Sequence, residues 1–222
     1  MVEQLFPNVN WDRMLEATLE TLYMTAISVL ATFILGTILG LLLFLTAKGN
    51  LWENAFVNSI VAAFVNIFRS IPFIILIILL IPFAKFIVGT MLGSNAALPA
   101  LIIGAAPFYG RMVEIALREI NKGVIEASRA MGATTWTIIW KVLLPESMPA
   151  MVSGITVTAI ALVGYTAMAG VVGAGGLGNL AFLEGFQRSQ GDVTFMSTVI
   201  ILLIVFIIQF IGDRVTSMLD KR

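Results

Sequence analysis

The sequence predicts an all-α membrane protein with five transmembrane helices. Of its 222 residues, 59% are hydrophobic and only 12% are charged, and the charged residues leave five long apolar stretches between them. A soluble domain is usually about 45–50% apolar and about 25% charged. Because the bilayer core offers no water to unpaired backbone groups, a single segment that crosses it must be a helix.

The apolar stretches give the positions of the helices. A helix needs about 20 residues to cross the hydrocarbon core. The second stretch contains Pro72, which predicts a kink. The fourth is too long for one helix, so we expect its helix to be followed by a glycine-rich loop on the outer side. The predicted spans are about 21–47, 55–82, 96–118, 148–172 and 193–212.

Lysine and arginine residues are distributed unequally between the two sides of these spans. One side holds nine, and the other holds Arg13, Lys85 and Arg188. Because positive residues are retained in the cytoplasm, the N-terminal segment 1–16 is predicted outside and the tail 215–222 in the cytoplasm. One transmembrane domain, 17–214, lies between them. The stretch 122–145 is then the largest cytoplasmic loop.

The composition excludes several classes of function. Histidine and cysteine are both absent, which removes imidazole or thiolate metal sites and Ser-His or Cys-His catalysis. The net charge of zero suggests no nucleic-acid partner. The chain lacks a G-x-x-x-x-G-K-[ST] phosphate loop, and no span holds an acidic residue in its core for a proton relay. We therefore predict no catalytic site, no metal and no cofactor in this chain.

The polar stretch EASRAMGATTWTIIWKVLLP, Glu126 to Pro145, predicts two short helices joined by a turn. The first would run over 122–131. Gly132 fits the position just after a helix end, where only glycine adopts a left-handed conformation cheaply. Thr134 or Thr135 would then cap the second helix. The stretch therefore predicts a compact helical insert beneath the membrane.

The second helix of the insert, 136–143, is expected to end at Pro145. It would present Ile138, Ile139 and Val142, and apolar side chains exposed to water indicate a protein partner. A helical hairpin lying on the lipid headgroups is the alternative. The apolar pattern alone leaves both interpretations open.

The spacing of the insert resembles the EAA loop of ABC importer permeases. That pattern runs E-A-A, three residues, G, nine residues, I-x-L-P. Here a serine replaces the second alanine and a valine replaces the isoleucine. The matching positions are Glu126, Ala127, Ser128, Gly132, Val142, Leu144 and Pro145.

The resemblance implies that the insert is a coupling helix seated in a cleft of a separate ATPase subunit. Glu126 would be its charged contact, and Ala127 would allow close approach. Gly132 would make the turn, and Leu144 and Pro145 would fix the entry into the fourth span. The insert would thus carry ATP-driven motion into the membrane helices.

Four further stretches resemble the methionine-importer permeases: NWDRMLEATLETLYMT, FVNIFRSIPFIIL, AAPFYGRMVEIALREINKGVIEA and GYTAMAGVVGAGGLGNLAF. The resemblance implies a multi-pass homodimer in the lipid bilayer of the bacterial cell membrane. Two copies of a nucleotide-binding ATPase subunit would carry ATP and Mg, and an extracytoplasmic substrate-binding lipoprotein would deliver methionine, D-methionine or related derivatives.

Other transport functions and a membrane enzyme are the alternatives. Permeases for other small solutes, phosphonate for example, share the fold and the coupling motif. A self-contained secondary carrier or channel would need its own coupling groups, and the spans offer only Arg69. A membrane enzyme has no obvious catalytic group here, since histidine, cysteine and an acidic intramembrane pair are all lacking.

Two groups of residues within the spans are candidates for the translocation pathway or its gate. Asn58, Asn66 and Arg69 lie within roughly 80° of arc on the second helix, and they either line the pathway or make structural polar contacts. Tyr165 and Met168 are large residues in a fourth span rich in small ones. We predict that the flexible Met168 is part of a gate; ordinary core packing is the alternative.

Three weaker motifs complete the sequence. The run Gly173 to Gly178 matches G-x-G-x-x-G, but it follows a membrane helix rather than a strand, so we interpret it as a re-entrant loop or tight turn. Gly36 and Gly40 fit a helix-packing motif. A Glu114–Arg118 pair is expected on a solvated face at the end of the third span.

Overall fold

The computed structural model describes residues 6–220, and within that range it contains helices and turns but no strand. Four helices are long and apolar enough to cross a membrane, and a bent pair would supply a fifth. The all-α membrane class is therefore confirmed, whereas the orientation stays a prediction. Residues 1–5 of the predicted outer segment and Lys221 and Arg222 of the predicted tail lie outside the described range.

In chain order the helices are α1 (Trp11–Thr46), α2 (Ala55–Ser70), α3 (Phe73–Val88), α4 (Ser94–Arg118), α5 (Lys122–Ala130), α6 (Thr135–Ile138), α7 (Leu144–Val171), α8 (Gly176–Leu180) and α9 (Gly191–Leu219). Two π-helical segments, Ile139–Leu143 and Ala181–Gln187, directly follow α6 and α8.

The first helix begins well before the charge-free run that predicted it. Asn10 caps it, because its side-chain oxygen accepts hydrogen bonds from the N–H groups of Asp12 and Arg13, each at 3.1 Å. Asparagine is among the strongest helix N-caps. A helix that extends beyond the hydrocarbon can carry charged residues, so a charge-free run defines the membrane-embedded part of a helix and not its start.

The second predicted span is broken rather than kinked. One helix ends at Ser70 and the next begins at Phe73, with a bend of 111° between them. The residue before a proline is disfavoured in the α conformation, which ends the helix at this point. Pro72 itself has φ −56° and ψ 133° and stands at the N-cap of α3.

The described chain forms two compact units. The first comprises 6–31, 71–104 and 159–209, and the second comprises 32–70, 105–158 and 210–220. The core of the first unit is formed by Val9, Met14, Ala17, Val163, Leu177, Leu180, Val193 and Ile204. The core of the second contains Phe44, Leu45, Tyr109, Val113, Leu117, Ile138, Ile139, Leu143 and Met151, among others.

The glycine motif of α1 packs against α4 within the second unit. A Cβ atom on Gly36 would lie 2.6 Å from Cδ1 of Tyr109, and one on Gly40 would lie 2.5 Å from Cβ of Val113 and 2.6 Å from the carbonyl oxygen of Gly110. Real Cβ atoms do not approach so closely. The helices therefore meet at a distance that only glycine permits, as the motif predicts.

Candidate functional site

Both helices of the predicted coupling insert are capped by their own side chains. The Asn121 side-chain oxygen accepts the N–H of Gly123 at 2.8 Å and starts α5. The Thr134 hydroxyl accepts the N–H of Thr137 at 3.3 Å and starts α6, so Thr134 and not Thr135 is the cap. The role of Asn121 was not among the predictions, although asparagine before a helix is a recognisable signal.

The turn between the two helices is a Schellman motif. The N–H of Gly132 donates to the carbonyl of Arg129 at 2.9 Å, and the N–H of Ala133 donates to the carbonyl of Ser128 at 3.1 Å. Gly132 has φ +81°, the left-handed conformation that this motif requires at its first residue beyond the helix. The predicted turn is therefore confirmed, and its backbone groups are paired.

Pro145 does not end the second helix, contrary to the prediction. The chain continues through the π-helical segment Ile139–Leu143 into α7, and the N–H of Leu144 donates to the carbonyl of Ile139, five residues back. Proline lacks an N–H and collides with the carbonyl four residues before it in an α-helix. A wider π turn relieves that collision, so residues 135–171 form one continuous helical segment.

The EAA positions divide between the outer and inner faces of α5. Glu126 and Ala127 are exposed, whereas Ser128 is buried. The Ser128 hydroxyl donates to the carbonyl of Val124 at 2.7 Å. A serine at the third position is therefore satisfied inside its own helix, and this departure from the alanine of the pattern leaves no buried polar group unpaired.

The exposed apolar side chains of the insert differ from those predicted. Ile138 and Ile139 are buried in the core of the second unit, and Val142 packs against it. Helix α6 and the π-helical segment carry two apolar stripes, and the aliphatic stripe faces inward. The exposed large apolar side chains are Val124, at 43%, Met131, at 81%, Trp136, at 62%, and Trp140, at 65%. The insert does present apolar surface, and methionine and tryptophan contribute most of it.

The carboxylate of Glu114 lies between two arginines. Its oxygens are each 2.5 Å from a guanidinium nitrogen, one of Arg111 and one of Arg118. The predicted pair with Arg118 is confirmed, but the solvated face is wrong, since Glu114 is only 2% exposed. Val113 and Leu117, on the same helix, pack into the core of the second unit.

The predicted polar stripe of the second span separates into two kinds of contact. Asn58 is structural, because its amide donates to the carbonyl of Leu43 at 2.8 Å and contacts the Thr46 hydroxyl at 3.0 Å. Asn66 and Arg69 are exposed, and the Arg69 guanidinium lies 5.8 Å from the ring centre of Phe108, a cation–π distance. A place on the translocation pathway stays a prediction for Asn66 and Arg69.

The two large residues of α7 have different surroundings within the first unit. The ring of Tyr165 stacks on that of Phe73, with centres 4.4 Å apart and planes 5° apart. Met168 is 45% exposed, so its side chain does not pack in the core of the chain. That exposure counts against ordinary core packing, and the gate role of Met168 and Tyr165 stays a prediction.

The glycine-rich loop after α7 is a tight turn held by α1. Gly173, Gly175 and Gly176 have φ values of +94°, +82° and +78°. The Glu20 carboxylate accepts the N–H of Gly176 at 2.6 Å, and the neighbouring Thr21 hydroxyl accepts the next N–H, of Leu177, at 2.9 Å. The contact joins residues 156 positions apart in the chain, so no local pattern could predict it.

The comparisons with known proteins agree with this geometry. The profile of the family described as binding-protein-dependent transport system inner membrane component matches residues 36–222. The methionine import system permease protein MetP of Bacillus subtilis is 68% identical over all of both chains. The probable D-methionine transport system permease protein MetI of Pasteurella multocida is 48% identical, over 96% of this chain and 98% of that protein.

Among solved structures, an inward-facing MetNI methionine ABC transporter contains a chain that matches with a TM-score of 0.89 and 50% identity, over 91% of this chain and 94% of that chain. Its similarity extends over most of the fold. With the family profile covering residues 36–222 and a full-length relative at 68% identity, the chain belongs to the inner membrane components of binding-protein-dependent transport systems.

Proposed function

We propose that this chain is the permease subunit of an ATP-driven importer of methionine in the bacterial cell membrane. The observation that carries the proposal is the insert: a capped helix that exposes Glu126 and Ala127, joined by a closed Schellman turn to a helical segment running on to Val171. The names of the full-length relatives support methionine and D-methionine as the substrates.

The proposed assembly contains two copies of the chain and two copies of an ATPase subunit. The ATPase subunits would carry ATP and Mg, and an extracytoplasmic binding protein would supply the substrate. The similarity to the MetNI methionine ABC transporter supports the ATP-driven assembly, and the description of the family supports the binding protein. This chain would contain no catalytic site of its own.

In the proposed mechanism the insert converts closure of the ATPase subunits into movement of α7. Glu126 and Ala127 would seat α5 in a cleft of the ATPase, and the Schellman turn at Gly132 would hold the angle between α5 and α6. Because residues 135–171 are one helical segment, a displacement of α6 passes along α7. Tyr165 and Met168, on the same helix, would then open or close the pathway.

Uptake by the reconstituted transporter tests the substrate and the energy source together. Vesicles containing the permease and its ATPase should take up labelled methionine only when ATP and the binding protein are supplied, and D-methionine should compete. Uptake by the permease alone would indicate a self-contained carrier. Transport of a phosphonate in place of methionine would indicate the other importer class.

The docking role of Glu126 is tested by a charge-matched comparison. Glu126→Ala should weaken binding of the ATPase subunit at least about 30-fold if Glu126 is buried in a charge pair on docking, because truncating one partner of such a pair typically costs about 2–5 kcal/mol. Glu119→Ala removes another exposed carboxylate that lies before the insert and should leave binding unchanged. Equal binding by both variants and the unmodified chain would contradict the assigned docking surface.

A further inference from the structure

An apolar groove of about 550 Å³ runs along α1 in the second unit. Its lining comes from residues 33–45 of α1, from Trp52 in the loop that follows, and from residues 136–151 of α6, the π-helical segment and α7. Thr37 is the one polar residue among the lining residues. Such a surface favours an apolar occupant.

Tryptophans gather at one end of the groove. Trp52 is hydrogen-bonded to the end of α1, because its backbone N–H donates to the carbonyl of Leu45 at 2.9 Å. Its ring meets that of Trp136 edge to face, with centres 5.8 Å apart, and Trp140 also lines the groove. Tryptophan side chains prefer the boundary between headgroups and hydrocarbon. With this end at the headgroup boundary, the rest of the groove would extend into the hydrocarbon.

The length of the groove matches one leaflet of a bilayer. From Phe33 to Leu45, α1 rises about 18 Å at 1.5 Å per residue. Half of a hydrocarbon core is about 15 Å. Ile34 and Ile38, which line the groove, are 60% and 50% exposed in the chain. An acyl chain of a single leaflet would therefore fit beside α1 along most of its length.

Positive charge adjoins the tryptophan end. Lys48 follows α1 directly, and Lys141 is the neighbour of Trp140; both are exposed. Neither lysine takes part in an ion pair within residues 6–220. The carboxylate of Glu53 is engaged in the loop, where it accepts the N–H of Gly49 at 3.0 Å. The charge at this end therefore complements a phosphate group.

We propose that the groove binds an anionic phospholipid, with an acyl chain along α1 and its phosphate beside Lys48 and Lys141. The lipid would bridge α1 to the helical segment that supports the coupling insert, and so would brace the base of the insert. Neither the transported solute nor the ATPase enters this interaction.

Tryptophan fluorescence tests the site directly. Four tryptophans are present, and Trp11→Phe leaves the three that line the groove as the reporters. The full chain is placed in vesicles that contain an equal fraction of acyl-brominated phosphatidylglycerol or acyl-brominated phosphatidylcholine. Bromine quenches indole fluorescence on contact, so the anionic lipid should quench more strongly.

Substitutions at the lysines separate a phosphate site from general lipid contact. Lys48→Gln and Lys141→Gln should each reduce the preference for the anionic lipid about fivefold, the usual effect of one lysine near an anionic membrane surface. Lys141 adjoins the lining residue Trp140 and Lys48 lies three residues after Leu45, whereas Lys85 and Lys122 are far in sequence from every lining residue. Lys85→Gln and Lys122→Gln should therefore leave the preference unchanged.

Two results would overturn the proposal. Equal quenching by the two lipids would mean that the groove contacts bulk lipid and does not prefer the anionic headgroup. Absence of quenching by either would mean that protein, such as a second copy of the chain, covers the groove. Because quenching reports lipid contact and not uptake, the result is independent of whether the chain transports methionine.

Discussion

At the scale of a single residue, Gly132 makes the turn that joins α5 to α6 in the insert. Its φ of +81° lies in the left-handed region, and no atom approaches within 4 Å of the position where a Cβ would stand. A side chain here therefore meets no steric obstacle from neighbouring parts of the chain. The requirement for glycine comes from the backbone conformation alone, which makes the position suitable for a clean substitution.

Gly132→Ala should strain the turn by about 1–2 kcal/mol, the cost of the left-handed conformation for a residue with a Cβ. If the turn orients α5 for docking, binding of the ATPase subunit should weaken about 5- to 30-fold. Asparagine adopts this conformation more readily, so Gly132→Asn is the matched control and should bind more tightly than the alanine variant. The measurement is the affinity of the reconstituted permease for its ATPase, and equal affinities would argue against a role for the turn.

At the scale of secondary structure, close packing of α1 on α4 is the feature most sensitive to volume. The Gly40 position is confined by Cβ of Val113 and by the carbonyl oxygen of Gly110. A backbone carbonyl cannot move aside as a flexible side chain can. An added methyl group therefore has to separate the two helices or bend one of them.

Gly40→Ala should lower the free energy of unfolding by about 1–3 kcal/mol, the usual cost of overpacking. Gly164→Ala adds the same methyl group within α7, where no atom beyond the local backbone of the helix lies within 4 Å of the Cβ position, and should have little effect on stability. Thermal unfolding of the purified permease measures the difference. A Gly40 variant as stable as the Gly164 variant would show that α1 and α4 are not packed this closely.

For the whole molecule, the long helices connect the regions that are proposed to bind ATPase and to gate the pathway. The insert belongs to the second unit, whereas Tyr165 and Met168 belong to the first. Helix α7 contributes residues to both units. Residues 135–171 are continuous along the chain, so a movement of the insert has a covalent route to Tyr165 and Met168 in the proposed mechanism.

Met168→Ala should make the resting transporter permeable to its substrate. A shorter side chain would leave the pathway partly open, so methionine loaded into vesicles should escape without ATP. Met91→Ala truncates a methionine of similar exposure, 47% against 45%, that is not on α7, and should not increase the leak. Unchanged retention in the Met168 variant would remove this residue from the gate.

The parts of the structure that could be predicted depend on contacts between residues that are near each other in the sequence. Gly132, Thr134 and the end of α4 at Arg118 follow from caps, turn residues and charge, which act over a few residues. A charge-free run predicts too late a beginning for α1, because it marks the part of the helix inside the membrane. Pro145 predicts a helix end, and the π-helical segment that accommodates it has no recognised sequence signature.

The sequence does not predict which side chains of these helices are buried. Helix α6 and the π-helical segment carry two apolar stripes, and composition does not say which one faces the core. In the structure Ile138 and Ile139 are buried, whereas Trp136 and Trp140 are exposed. Glu114 likewise looks like an ordinary surface residue in sequence. The answer depends on which helices pack together in three dimensions.

From the order of its residues alone, this protein could be assigned its membrane class and most of its long helices, because these rest on apolar runs within short stretches, and its motifs resemble those of its importer family. Three features arise only in the folded chain. They are the hydrogen bond from Gly176 to Glu20, the burial of Glu114 and the apolar groove beside α1. Their physical reason is the same: each requires helices from separate parts of the chain to pack together, and no local pattern specifies that packing.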